Sequence, residues 1–407
     1  MKNLGILYRF EIGKMLRRKI LWAAVVAGLV LNLLALGLDS VGNYYIDGVK
    51  VDTNFHMNQI FKEDQLKLDG RLIDQELLEE MSDGYGKIPE DAVNGARHYI
   101  GTEEYQTYAR PYSAIFNFAR SAGNMTTSEA MEWDADEQEL YQRRRQAVEE
   151  SWEDNFLTDK EKSFWQEKEN RLELPVAFRF KEGWWHLLDG AYTTGILLLF
   201  VAVVCLAGIF PEEHVRKTDQ LILSSRYGRE PVFRAKLLAG ISFVTVFLLL
   251  MFGLEVLEIY FLYGWEGFDA AFQLIMPDFS YPLSTGGGVL IAFGMILFAS
   301  ILTGIFCMFL SELLHGSMGT LALISGMIIA GMFVSSLPER YRVLSQAWSY
   351  LPSHMTAVWN IFNCRTVLIF GKLLVSWQAV PILYLILGGV FATLLKRRYV
   401  NYQISGR

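Results

Sequence analysis

PEEHVRKTDQLILSSRYGREPVFRAK, residues Pro211–Lys236, separates two long apolar runs and decides how the chain is arranged. It carries six cations, Arg216, Lys217, Arg226, Arg229, Arg234 and Lys236, and loops rich in Lys and Arg stay on the cytoplasmic side of a bilayer. The stretch is longer and more patterned than a connector needs. A loop with its own helix at a cytoplasmic membrane face is placed to receive mechanical work from a soluble partner.

The flanking sequence supports a bilayer as the solvent. Of 407 residues, 52% are hydrophobic, and they are clustered rather than dispersed. Crossing about 30 Å of hydrocarbon takes about 17–25 apolar residues. Six runs qualify: Ile20–Leu38, Ala191–Phe210, Leu237–Leu254, Gly286–Leu310, Gly316–Leu337 and Ala379–Leu395. The first is too long for a signal-peptide core, and no small-residue cleavage site follows it. The expected class is an all-α polytopic membrane protein, multi-pass in a bacterial plasma membrane.

The net charge of −7 hides an asymmetry. Residues 39–190 hold 32 of the 44 acids and 17 of the 37 Lys/Arg, a local charge of −15. Cations gather instead at the N-terminus (Lys2, Arg9, Lys14, Arg17, Arg18, Lys19), in the 211–236 loop, and at the C-terminus (Lys396, Arg397, Arg398, Arg407). With six crossings all three fall on one side, which puts both termini in the cytoplasm.

The expected division is an interfacial helix at 1–19, a first span at 20–38, a mainly helical extracytoplasmic domain at 39–190 and a second span at 191–210. The cytoplasmic loop 211–236 follows, then spans at 237–262, 286–310 and 316–337. An external amphipathic hairpin, read as helical and dipping into the outer leaflet, occupies 338–378. The last span, 379–395, precedes a cytoplasmic tail at 396–407.

Within 39–190, helical composition marks Ile73–Met81 and Ser128–Asp154, and Thr158-Asp-Lys-Glu161 is a capping box. The many aromatics there read mostly as core, with a minority available for a ligand surface. Trp184-Trp185-His186 reads as an interfacial anchor. Gly326 and Ala330 have the spacing that lets helix backbones approach, within the subunit or across a dimer. Cys205, Cys307 and Cys364 form no disulfide framework.

Signals for catalysis are missing. There is no Gly-x-x-x-x-Gly-Lys-Ser/Thr, no His-Glu-x-x-His, no Gly-x-Ser-x-Gly and no Cys/His cluster of metal spacing. Nucleic acid is not an expected partner. Glu255 and Glu258 lie three apart on one helical face at the end of the third run. Acids at depth usually face a bundle interior or a water-filled path. The plainer expectation is that the apolar run ends there and both reach the outer interface.

The loop itself carries a resemblance. Acids after the second run (Glu212, Glu213), a short apolar helix ending Leu223-Ser-Ser225, a basic turn Arg226-Tyr-Gly-Arg229 and Lys236 at the start of the third run are similar to the permease subunits of ABC-2-type ABC transporters. The likeness covers about 1–38 and 191–407. A large domain at 39–190 departs from the family, whose first external loop is usually short.

The resemblance implies a coupling helix at Thr218–Ser225 seated in a separate cytoplasmic ABC ATPase dimer, with Leu221 and Ile222 at the contact. It further implies a second permease subunit, identical or not, contact with membrane lipid, and no cofactor on this chain, ATP being held by the partner. Glu212 and Glu213 would brace the loop or face the ATPase, while Arg226, Arg229 and Lys236 would pair with acids or lipid phosphate. Export is the expected direction. Two other classes are consistent with the residues alone: a non-transporting sensor whose external domain binds a peptide or envelope ligand, and an intramembrane enzyme using Glu255 and Glu258.

Overall fold

The computed structural model describes residues 2–89, 99–334 and 336–401. Helix dominates, as the clustered apolar runs require in a solvent that cannot satisfy backbone groups. Five helices are long and apolar enough to cross a membrane: Lys19–Gly37, Glu182–Leu206, Glu230–Leu262, Thr285–Leu314 and Ser376–Val400.

The run expected at 316–337 forms a shorter helix of 17 residues, Ser317–Phe333, about 26 Å at 1.5 Å per residue. The sequence that follows, Ser335-Ser336-Leu337-Pro338, offers side-chain competitors for backbone hydrogen bonds and a ring that disfavours helix before it. The Gly326/Ala330 face is uncovered: a Cβ at Gly326 would meet nothing within 4 Å, and Ala330 is exposed.

The Glu182–Leu206 and Thr285–Leu314 helices are the most buried and form the centre of the bundle. Their inward residues, among them Leu198, Leu199, Ala202, Leu206, Val289, Ala292, Ile296 and Ala299, are fully or almost fully buried. Around them pack the N-terminal helix Lys2–Leu16, the other long helices and Ser317–Phe333. The Glu230–Leu262 helix starts seven residues before the expected span, with Pro231 in its first turn, where a missing N–H costs nothing.

The 39–190 insert joins the end of the bundle opposite the 211–229 loop. It opens with an antiparallel hairpin, Asn43–Ile46 with Val49–Thr53, turning through Asp47-Gly48, both at positive φ. Helices follow at Asn54–Leu66, Gln75–Tyr85 and Ser113–Ala122. The stretch 128–154 is not one helix but two, Thr127–Glu132 and Glu137–Asp154. Ala135 sits at φ 56° and Asp136 caps the second helix. The capping box at Thr158 and Glu161 forms as read and opens Asp159–Glu169.

The insert has its own apolar core, centred on Leu77, Leu78, Ile115 and Phe116, with Tyr85 stacked 4.0 Å from Phe116. Trp152 and Trp165 belong instead to the cluster that continues into the bundle. The last two insert helices are therefore fixed to the bundle end. Trp184 departs from its expected role as an anchor. It is buried and packs edge-on against Trp265 and Phe268.

Segment 338–378 also differs from the helical hairpin expected. It holds the helix Arg342–Ser349, a four-residue helix Val358–Ile361, and a β-hairpin, Thr366–Ile369 with Lys372–Val375. The hairpin turns at Phe370-Gly371, both at positive φ, between strands rich in β-branched and large apolar residues. Two of the four cations in this segment find acids. Arg365 pairs with Glu339 at 2.5 Å, and Arg342 pairs with Glu161 of the insert.

Burial pushes the Glu161 pKa up, but bonds from Arg342, Thr158 and Thr366 outweigh it and bring it down to about 2. A folded-state pKa below the ordinary carboxylate value of about 4.3 gives stabilisation that is full above that value and is lost as pH falls toward 2. The melting temperature of the Glu161→Gln variant should lie well below wild type at pH 6, and the gap should narrow steeply as pH falls from about 4 toward 2. A gap independent of pH over that range would contradict the assignment.

Candidate functional site

The loop after the second long helix folds into two short helices, Pro211–Val215 and Asp219–Ser224, before a turn at 225–229. The second falls where the coupling helix was expected. Ser225 closes it by donating to the Ile222 carbonyl at 2.7 Å. The turn then passes under the helix so closely that a Cβ on Gly228 would lie 1.5 Å from the Ile222 oxygen. Only glycine permits this approach.

The three apolar residues of the helix take different environments. Leu221 is 77% exposed, Ile222 packs against the bundle core and Leu223 is buried. Of the two residues expected at a partner contact, the structure leaves Leu221 outward and turns Ile222 inward.

Beneath the helix lies a buried polar clamp. Lys236, fully buried, places Nζ 2.9 Å from Glu213 and 2.7 Å from the Ile209 carbonyl oxygen. Glu213 also takes Lys14 at 3.0 Å, and Lys14 reaches Glu11 at 2.7 Å. Burial works against the Lys14 charge, yet Glu11 and Glu213 outweigh it and raise its pKa above the ordinary lysine value. The Tyr399 hydroxyl, from the last helix, lies 3.4 Å from Glu213 and 3.3 Å from the Gly228 carbonyl.

Glu212 pairs with Arg18 and, at 2.6 Å, with Arg216. Arg18 also donates to the Gly208 carbonyl at 3.0 Å. Four segments are thus locked at one point: the N-terminal helix, the end of the second long helix, the start of the third and the end of the last. A buried pair of this kind adds little over an apolar replacement, but removing one partner strands a charge and costs about 3–5 kcal/mol.

The basic turn is tied mainly to backbone. Arg229 donates to the Val400 carbonyl at 2.6 Å, whereas Arg226 is exposed and lies over the Tyr227 ring. In place of the acid or lipid phosphate expected from sequence, Arg229 takes the carbonyls of Val400, at the end of the last helix, and Leu223. Glu230 joins the same strut through Arg234 at 2.7 Å and Lys396 at 2.8 Å. The end of the Thr285–Leu314 helix meets the loop as well, with Glu312 3.4 Å from His214. His315 caps that turn at φ 51°, a structural position.

Replacing Gly228 with alanine should therefore break the loop without touching the apolar core. The Gly228→Ala protein is expected to insert in the membrane but to become sensitive to protease between residues 216 and 229. Wild-type protease resistance of the loop would contradict this.

Glu255 and Glu258 separate. Glu255 is buried, not at an interface as expected, and accepts hydrogen bonds from Asn32 and, at 2.6 Å, from Thr194. This ties the first three long helices together. Glu258 is half-buried and lies against Gly37. Sequence reasoning missed Asn32 and Thr194, although a polar residue within an apolar run is itself a signal. It also missed Glu11, Lys14, Arg18 and Tyr399 as site residues.

No family model, curated protein or solved structure matches this chain. Among the described residues no group of His, Cys, Asp and Glu is arranged to hold a metal ion.

Proposed function

We propose that this chain is the membrane-spanning permease subunit of an ABC transporter, working as an exporter. ATP is hydrolysed on a separate cytoplasmic ATPase dimer that grips the Asp219–Ser224 helix. The observation that carries this reading is a short helix presenting Leu221 outward from a base where four segments are clamped by buried charges. A force on such a helix reaches the N-terminal helix and the ends of the second, third and last long helices together.

The charge distribution supports the orientation. Cations concentrate at the loop end and an excess of 15 acids over cations at the insert end, which supports a cytoplasmic side for the loop and both termini. With that topology, Ser317–Phe333 completes six crossings and the insert is extracytoplasmic. The uncovered Gly326/Ala330 face is where a second permease subunit packs. Affinity purification in mild detergent tests the reading. An ABC ATPase should co-purify in stoichiometric amount and its ATP hydrolysis should change on reconstitution; its absence from the purified complex would overturn the proposal.

A further inference from the structure

A cavity of about 420 Å³ lies where the insert meets the opposite end of the bundle. Its size falls within the range of small-ligand sites, about 300–1,000 Å³. Three separated segments build it: the Glu137–Asp154 and Asp159–Glu169 helices, the loop around 276–280, and the 336–365 stretch. Trp152, Trp165, Phe279 and Phe362 give it aromatic walls. They are set by edge contacts: Trp165 to Phe279 at 6.1 Å and Phe279 to Phe362 at 5.5 Å between ring centres.

The polar lining holds both acceptors and donors. Three lining asparagines each give one amide N–H to a backbone carbonyl: Asn155 to Ser151 at 2.8 Å, Asn360 to His354 at 3.2 Å and Asn363 to Asn360 at 2.8 Å. Arg365 spends its Nη groups on Ser345, Asn155 and Glu339. The lining also holds the amide oxygens of Asn155 and Asn360, the buried Arg365 Nε, which has no partner among the described residues, and the exposed Asp278 carboxylate, which makes no ion pair among them. The buried Ser280 hydroxyl also lacks a partner among them.

We propose that this cavity binds a cationic side chain of a peptide, its ammonium or guanidinium on Asp278 and its apolar stem between the aromatic walls. Aromatic faces attract a cation by about 0.5–2 kcal/mol, and the −15 charge of residues 39–190 draws cationic ligands to this end. A neutral saccharide fits less well, because it would leave the Asp278 charge without a counter-charge. The inference rests on the orientation proposed above only for the side from which the ligand arrives.

The test uses the full-length protein in detergent and three probes: Ac-Lys-Leu-Lys-NH2, Ac-Glu-Leu-Glu-NH2 and diacetylchitobiose, followed by calorimetry and tryptophan fluorescence. The cationic peptide should bind saturably and at least tenfold more tightly than either of the others. Asp278→Asn, an exposed change, should weaken it at least fivefold without altering the melting temperature, and high salt should weaken it in wild type. No saturable binding, equal affinity for the anionic peptide, preference for the disaccharide, or an unaffected Asp278→Asn variant would each overturn the proposal. Co-purification of an ATPase is indifferent to these outcomes, so the two readings fail separately.

Discussion

Replacing Lys236 with methionine should destabilise the bundle by about 3–5 kcal/mol, the cost of leaving a buried charge without its partner. Lys236 is fully buried, and its Nζ contacts both Glu213 and the Ile209 carbonyl. Its loss leaves Glu213 with Lys14 and Tyr399 only. Adding Glu213→Gln to Lys236→Met should recover part of the loss, because residues in one network are not additive. By contrast, Arg216→Ala removes an exposed pair with Glu212 and should cost under about 1 kcal/mol. Thermal melting in detergent reads all four proteins. A Lys236→Met melting temperature equal to that of Arg216→Ala would show that the clamp does not hold the loop.

Leu221→Asp should have the opposite profile, an intact fold with a lost partner. At 77% exposure the substitution leaves core packing alone, and such surface changes usually fall within about 0.5 kcal/mol. At the centre of a docked helix, however, a stranded carboxylate costs about 2 kcal/mol or more. That is a loss of about thirtyfold in affinity. Ile222→Asp should instead damage the protein itself, since Ile222 packs against the core. Melting temperature and ATPase capture, measured on both variants, separate the two. Leu221→Asp that melts early, or that retains the ATPase, would contradict the assignment of roles.

The features legible in the sequence are those written contiguously. Five of the six apolar runs, the cationic loop, its short helix and the capping box at Thr158 each lie within one stretch, and each forms; the run at 316–337 gives only a shorter helix. What the sequence does not disclose depends on long-range pairing. Glu213 meets a lysine 199 residues away and a tyrosine 186 residues away. Asn32 and Glu255 are separated by 223 residues. No local periodicity marks such partners. Glu255 shows the consequence: read alone it belongs at an interface, whereas Asn32 and Thr194 give it a place between helices.

Local signals can also compete. The 338–378 segment has helical amphipathic composition, yet Phe370-Gly371 and the flanking β-branched residues win as a hairpin. The insert's aromatics divide by tertiary context in the same way. Tyr85 and Phe116 are core, while Trp152 and Trp165 line a cavity completed by loops far along the chain.

On the proposed function, the Asp219–Ser224 helix is the seat of an ATP-driven partner. Photo-crosslinking from a benzoylphenylalanine placed at position 221 tests it most directly, with a second probe at Val343, which is exposed at the opposite end of the bundle. In native membranes the probe at 221 should join this chain to an ATP-binding protein, and the probe at 343 should not. Crosslinks from 221 only to lipid or to this chain's own residues would contradict the account.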